Sequence, residues 1–186
     1  TQIDQLDEVI DDLERRIDTA TAPFRYAEEL LVTIPGISHT TAQLILAEVG
    51  PTVDSFKSAA HLVSWARLCP RSDSSAGKHR SRRIMKGSNW LKPALVQAAW
   101  AAIRVKGSYL RARYYRLKAR GGGKKAAIAV AASILVAIYH MLRDGTEYAD
   151  LGAEHLNTVD EEKYKAALVR KLERFGYDVN LVKKAA

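Results

Sequence analysis

Apolar residues alternate three and four positions apart at the start of the chain, which is the spacing of a coiled coil. The positions concerned are Ile3, Leu6, Ile10, Leu13 and Ile17. The residues between them are mostly acidic, and about two and a half heptads are too few to be stable alone. We therefore expect residues 1–22 to form a coiled-coil helix, ending before Pro23, that belongs to a longer helical hairpin or to a dimer seam.

The next apolar run leads from Leu30 into the turn Pro35-Gly36-Ile37-Ser38 and then into helical periodicity from Thr40 to Val49. Residues 30–50 resemble a helix-hairpin-helix motif, although the position after Ile37 is usually glycine in that family. The resemblance implies that Gly36 and Ser38 contact nucleic acid, because the turn presents backbone N–H groups and the next helix begins at a phosphate. A plain tight turn between two core helices is the alternative.

Later segments continue the helical pattern and predict a mainly α fold, a multi-helix domain. Their expected bounds are 58–68, 91–106, 109–120, 124–143 and, from the capping-box spacing at Thr158, 158–175. Trp65 is expected in the core, Gly121 to Gly123 as a linker, and 177–182 as a short extended segment. The 17 uncharged residues of 126–142 include Ser133, Tyr139 and His140, so they predict a buried core helix and no membrane partner.

Residues 69–89 lack periodicity and are rich in serine, glycine and basic residues, which predicts a loop. A loop of this length is longer than a compact domain normally leaves without structure, so a functional role is favoured.

Charge is distributed unevenly. The net charge is +8, and the stretch from Ser74 to Arg143 contains no Asp or Glu but holds 16 of the 29 basic residues. Such a stretch needs an external anion, and a phosphate backbone is the obvious candidate. Arg111, Arg113 and Arg116 are hypothesised to contact phosphates of DNA or a guide RNA, with neighbouring tyrosines available for stacking. The alternative is that the tyrosines fill the core and only the arginines face outward.

Few residues in the chain suit catalysis. No His, Cys, Asp or Glu cluster has metal-ligand spacing, and the single cysteine, Cys69, excludes an internal disulfide. What remains is hydroxyl groups in the basic loop, namely Ser72, Ser74, Ser75 and Ser81. A serine can attack a phosphodiester, and nearby cations stabilise the charge that grows on phosphorus. A loop that only binds phosphate is the alternative.

Several motifs resemble one family in order along residues 30–156. They are Ile34-Pro35-Gly36-Ile37, Glu48-Val49-Gly50, Phe56-Lys57-Ser58-Ala59-Ala60-His61-Leu62, Trp65-Ala66-Arg67-Leu68-Cys69-Pro70, Ser75-Ala76-Gly77-Lys78, Met85-Lys86-Gly87-Ser88-Asn89-Trp90-Leu91 and Ala98-Ala99-Trp100-Ala101. Together they resemble the C-terminal transposase domain of the insertion-sequence family numbered one hundred and ten, which is related to the pilin-gene invertases.

The resemblance implies a serine nucleophile that forms a phosphoserine link to DNA during excision and insertion, guided by a bridge RNA. Carried onto this sequence, the nucleophile is Ser75, with Ser74 as second choice. Lys78, Arg80, Arg82, Arg83 and Lys86 are then expected to position phosphate. Full-length members also carry an N-terminal domain with a Mg²⁺ site, so this chain is expected to be a fragment that binds DNA or RNA but does not cut it alone. No cofactor is expected in the chain itself.

The predicted organisation is a coiled-coil helix at 1–22, a transposase C-terminal domain at 24–156 with its serine loop at 69–89, and a helical tail at 157–186. The expected partners are DNA, a guide RNA and further copies of the chain through the coiled coil, in a bacterial or archaeal cytoplasm. Two other functions stay open: a non-catalytic helix-hairpin-helix module that binds nucleic acid, and a helical assembly domain.

Overall fold

The computed structural model describes residues 1–70, 73–75, 78–81 and 84–180, with the backbone alone described at 73–75, 78–81, 157–164 and 167. This part of the chain is mainly helical, which confirms the predicted fold class. Its elements are α1 (Gln2–Thr21), a 3₁₀ turn (Ala22–Phe24), α2 (Arg25–Val32), α3 (His39–Val49), α4 (Ala59–Trp65), β1 (Asp73–Ser75), β2 (Lys78–Ser81), α5 (Leu91–Ala102), α6 (Tyr109–Gly121), α7 (Gly123–Asp144) and α8 (His155–Arg174).

Helix α1 forms where the heptad spacing predicts it. A capping box between Thr1 and Asp4 begins the helix, and Pro23 lies in the 3₁₀ turn that follows its end. None of its residues is buried, and the whole apolar seam from Ile3 to Ile17 is exposed.

Helix α7 lies in the hydrophobic core and contacts α2, α4, α5 and α6. Among the described residues it is the one helix long and apolar enough to cross a membrane. Nine of its residues are nevertheless buried: Ala126, Ala127, Val130, Ala131, Ile134, Leu135, Ile138, Tyr139 and Met141. The prediction of a buried core helix is therefore confirmed.

The predicted boundaries of α5, the glycine linker and the tail helix need correction. Helix α5 ends at Ala102, because the chain turns between Ile103 and Gly107. Gly121 ends α6 and Gly123 begins α7, so the linker is a single residue, Gly122. The tail helix begins at His155, so Thr158 lies inside it and is not its N-cap. Residues 177–180 form no strand, and 181–182 lie outside the described residues.

The placement of Trp65 in the core is wrong. Its side chain is 44% exposed and packs edge-on against Phe56, with 5.4 Å between the ring centroids. Helix α4 has only seven residues, and its buried side is occupied by Leu62, with Ala66 buried just beyond the helix end.

Candidate nucleic-acid interface

The predicted loop at 69–89 contains a β-hairpin, which corrects the sequence-based prediction. Strands β1 and β2 are antiparallel, and an isolated bridge between Pro70 and Ile84 lies at the base of the hairpin. Ser74 lies opposite His79, and Ser75, the last residue of β1, lies opposite Lys78. The backbone therefore places Ser75 at the far end of the two strands.

The basic residues predicted for this segment are placed to different extents. Lys78 and Arg80 lie on β2, and Lys86 is exposed just after the bridge at Ile84. Arg82 and Arg83 lie outside the described residues. Lys86 also lines an open cavity of about 380 Å³ together with Ser88, Asn89 and Lys92. The hairpin thus brings Lys78 and Arg80 onto the strand that pairs with the serines, whereas Lys86 lies at the base.

Lys92 anchors the base of the hairpin, a role that sequence reasoning missed. Its Nζ donates hydrogen bonds to the carbonyl oxygens of Met85 at 2.8 Å and of Arg67 at 3.3 Å. Burial lowers the pKa of the Lys92 ammonium. A lysine in the first turn of a helix interacts unfavourably with the helix dipole. Its position in the sequence was therefore a signal that Lys92 contacts a group outside its own helix.

Ser88 provides a second anchor. Its Oγ accepts hydrogen bonds from the backbone N–H groups of Trp90 and Leu91, the N-cap and the first residue of α5, at 3.1 and 3.2 Å. The same hydroxyl donates to Oε1 of Glu48 on α3 at 3.2 Å. Gly87 passes close to α4, since a Cβ there would lie 2.9 Å from the carbonyl oxygen of Ala66. The base of the hairpin is therefore fixed to α3, α4 and α5.

The Pro35–Ser38 turn joins α2 to α3 and packs against α5. Gly36 has a φ of +92°, and a Cβ at this position would lie 2.4 Å from the carbonyl oxygen of Ala98 and 2.7 Å from the backbone nitrogen of Ala102. Packing alone thus requires a glycine. Ser38 caps α3 by accepting a hydrogen bond from the N–H of Thr41 at 3.3 Å. A phosphate contact at Gly36 and Ser38 stays a prediction.

A buried carboxylate supports this turn from α2. Glu28 is 1% exposed, and its Oε1 pairs with Nδ1 of His39 at 2.9 Å and accepts from Nε2 of Gln43 at 3.3 Å. Both partners belong to α3, so the carboxylate links the two helices of the motif. The unusual glutamate inside an apolar helix face is explained by this link.

The three arginines of α6 are half-buried and each contacts the protein itself. Arg111 donates to the carbonyl oxygens of Ile103 and Arg104, both at 3.4 Å. Arg113 donates to the hydroxyl of Tyr109 at 3.2 Å, and Arg116 donates to the carbonyl oxygen of Leu156 at 3.3 Å. Their contacts with phosphate stay a prediction.

The tyrosines of α6 divide between core and surface. Tyr114 is buried, Tyr109 is half-buried and Tyr115 is exposed. The alternative in which all the tyrosines fill the core and only the arginines face outward is therefore wrong.

Exposed cations of the acid-free stretch from Ser74 to Arg143 include Lys118, Arg120, Lys124 and Lys125. Among the described residues, no three His, Cys, Asp or Glu side chains come together as a metal site.

These features define a class of domain: mainly helical, with an acid-free basic stretch from Ser74 to Arg143 and an anchored β-hairpin that carries serines and cations. Residues 28–115 match the family model described as the transposase IS116/IS110/IS902 family. The match extends from α2 into α6 and includes the Pro35–Ser38 turn and the serine hairpin.

The chain is also similar to the uncharacterized 43.6 kDa protein of insertion element IS110 from Streptomyces coelicolor. The two are 35% identical over 121 residues, which is 64% of this chain and 29% of the relative. The chain therefore spans less than a third of that relative's length. These likenesses support the expected kinship with transposases, whereas the serine nucleophile and the guide RNA stay predictions.

Proposed function

We propose that this chain is a DNA-binding, serine-bearing part of a transposase and that Ser75 is the nucleophile. The observation that carries the proposal is the transposase-family match over residues 28–115, because it spans the basic hairpin that contains Ser75. The acid-free stretch from Ser74 to Arg143 supports DNA as the partner. The whole protein acts in the cytoplasm of a bacterium or archaeon, with a guide RNA as a further partner.

The proposed reaction is a transesterification. Oγ of Ser75 loses its proton and bonds to phosphorus, while the bond from phosphorus to one deoxyribose oxygen breaks and that oxygen takes up a proton. The products are a phosphoserine link to one DNA end and a free hydroxyl on the other. The reverse reaction with a different DNA hydroxyl reseals the strand, so no nucleotide cofactor is consumed.

The backbone of the hairpin suits this role. Its base is fixed by Lys92 and Ser88, whereas Ser75 lies at the other end, opposite Lys78. Cations on β2 and just after it counter the charge that builds on the phosphorus in the transition state. Arginine in particular holds two phosphate oxygens at once, which is the part we propose for Arg80, Arg82 and Arg83.

Replacing Ser75 tests the nucleophile. In the full-length protein, Ser75→Ala should abolish excision and insertion and the covalent protein–DNA adduct, while nucleic-acid affinity changes less than about twofold. Ser74→Ala tests the second choice, and Ser64→Ala, an exposed serine of α4, is the control. If Ser75→Ala lowers activity and affinity together, Ser75 is a contact, and a non-catalytic binding module becomes the better proposal.

The resemblance also implies a composite active site, with Mg²⁺ held by a separate domain. We propose accordingly that this chain alone binds DNA without cutting it. Incubation of the purified chain with supercoiled DNA and Mg²⁺ should leave the DNA intact. Strand cleavage by the purified chain would contradict the composite site.

For α1 we propose self-association with a second copy of the chain. The apolar seam at Ile3, Leu6, Ile10, Leu13 and Ile17 is exposed, and its spacing suits a coiled-coil partner. Ile10→Lys should shift the chain towards monomer in sedimentation velocity, and Asp11→Lys, a change at a neighbouring polar position, should not. A wild-type chain that remains monomeric at high concentration would contradict this proposal.

A further inference from the structure

Three aromatic rings form a continuous ladder between α5 and α6. The ring of Trp100 meets that of Tyr114 edge-on with 5.7 Å between centroids, and Tyr114 meets Tyr115 in the same way at 5.3 Å. Both distances lie in the range of favourable aromatic pairs. The ladder therefore fixes Trp100 and Tyr115 relative to each other through the buried ring of Tyr114.

The two ends of the ladder are open to solvent. Trp100 is 44% exposed and Tyr115 is 49% exposed, although the ring between them is buried. Two cations accompany the Tyr115 end: the guanidinium of Arg111 lies 5.3 Å from the Tyr115 centroid, and Nζ of Lys118 lies 5.7 Å from it. Exposed aromatic rings with cations in contact are the ingredients of a surface that stacks nucleobases and holds their phosphates.

The carboxylate of Asp150 contacts α6 at Tyr109, away from the residues that surround Tyr115. Arg111, Tyr115 and Lys118 share one helical face at spacings of four and three residues. The opposite face carries Tyr109, whose backbone N–H bonds Asp150, and Arg116, which bonds the carbonyl of Leu156 just inside α8. Trp100 belongs to the same acid-free stretch as α6. The two exposed ends of the ladder thus belong to a basic part of the chain, which favours an anionic partner.

We propose that Trp100 and Tyr115 form a stacking platform for the unpaired bases of single-stranded nucleic acid. The inference rests on the proposed function as a nucleic-acid-binding chain. It adds that this surface binds single-stranded rather than duplex nucleic acid. Duplex bases present only their edges in the grooves, whereas an unpaired base exposes its flat face to an aromatic ring. Lys118 and the guanidinium of Arg111 then contact the phosphates that flank the stacked bases.

The sharpest probe is a pair of oligonucleotides of the same length, one of deoxythymidine and one of abasic residues, because they differ in bases but not in phosphates. The chain should bind the oligothymidine more tightly. Trp100→Ala and Tyr115→Ala should each weaken oligothymidine binding by about 5- to 100-fold and leave abasic binding nearly unchanged. The salt dependence of the remaining binding should keep its slope, since no phosphate contact is lost.

Two further variants serve as controls. Trp90→Ala removes a tryptophan that is 68% exposed but lies outside the ladder, and it should leave both affinities unchanged. Trp100→Phe retains a stacking ring and should recover most of the loss caused by Trp100→Ala, which separates stacking from damage to the fold. Oligouridine in a parallel titration shows whether the strand is DNA or RNA, and tight binding of either one supports the platform.

The outcomes separate this inference from the function on which it rests. If the chain binds duplex DNA but treats thymidine and abasic strands alike, the platform is wrong and the DNA-binding function stands. If Trp100→Ala weakens duplex and single-strand binding equally, the ladder is not specific for unpaired bases, and the inference is also wrong. Binding to no nucleic acid at all would overturn both.

Discussion

The Pro35–Ser38 turn and the serine hairpin are both expected to meet nucleic acid, yet they are held in different ways. The turn presses its glycine against the backbone of α5, so its shape is determined by the interior of the protein. The hairpin is fixed to α3, α4 and α5 at its base, while Ser75 lies at its other end. Packing alone thus requires the glycine of the turn. In the hairpin, by contrast, the contacts are at the base, and the end that carries Ser75 is left for the proposed chemistry.

The largest expected effect is on the turn. Gly36→Ala combines a left-handed backbone with a Cβ that overlaps α5, and it should lower the free energy of unfolding by about 2–5 kcal/mol. Urea denaturation measures this loss. Gly145→Ala is the matched control, because Gly145 has a left-handed backbone with a φ of +65° but no close backbone neighbour, and it should cost only about 1 kcal/mol. Equal losses would mean that contact with α5 does not determine the turn.

The next largest loss of unfolding free energy is expected at Lys92, which anchors the base of the hairpin. Lys92→Met keeps the length of the side chain but leaves the carbonyls of Met85 and Arg67 without their donor, and it should cost about 1–3 kcal/mol. Amide exchange near Met85 should become faster. Lys106→Met removes the same charge from an exposed position and should change stability by less than about 0.5 kcal/mol. Unchanged exchange in Lys92→Met would show that the base is held without this lysine.

A smaller difference in unfolding free energy is expected between replacing Ser38, which caps α3, and replacing Ser88, which precedes α5. Ser38→Ala should cost about 1 kcal/mol through the lost cap of α3. Ser88→Ala should cost more, up to about 2 kcal/mol, because it loses the bonds to two N–H groups at the start of α5 as well as the bond to Glu48. Thermal or urea unfolding of the two variants measures the difference. Equal losses of unfolding free energy in the two variants would mean that the bond to Glu48 does not stabilise the base of the hairpin.

The smallest expected effect is on salt dependence. Lys86→Met should reduce the log–log slope of duplex binding by about 0.9 if Lys86 neutralises one phosphate. Ser38→Gly keeps a residue that is tolerated as a helix cap, and it should leave the slope unchanged. The same slope in Lys86→Met and the wild type would take Lys86 out of the interface.

Much of the fold follows from apolar spacing. The buried faces of α5 and α7 could be predicted, because a period of 3.6 residues reports which side of a helix is covered. Trp65 was misplaced because the pattern does not show that a seven-residue helix has room for only a narrow buried side. The hairpin was missed because its pairing uses backbone groups, and strands this short and polar lack the alternation of a strand with one buried face.

The candidate site was predictable only in part. Ser75 and its cations could be named from residue type and the family resemblance. The roles of Lys92 and Gly36 depend on backbone carbonyls and nitrogens supplied by distant segments, and such partners leave no trace in the side-chain pattern. Trp100 was missed because its exposure depends on how α5 packs against α6.

The position of α7 along the chain has a consequence for synthesis. A helix of this hydropathy would be prone to aggregation if it left the ribosome without partners. Its contacts in the core, α2, α4, α5 and α6, all precede it in the sequence. The helical surfaces that cover α7 are therefore already made when it emerges, and only the segment around Tyr148, which lines its other side, is still to come.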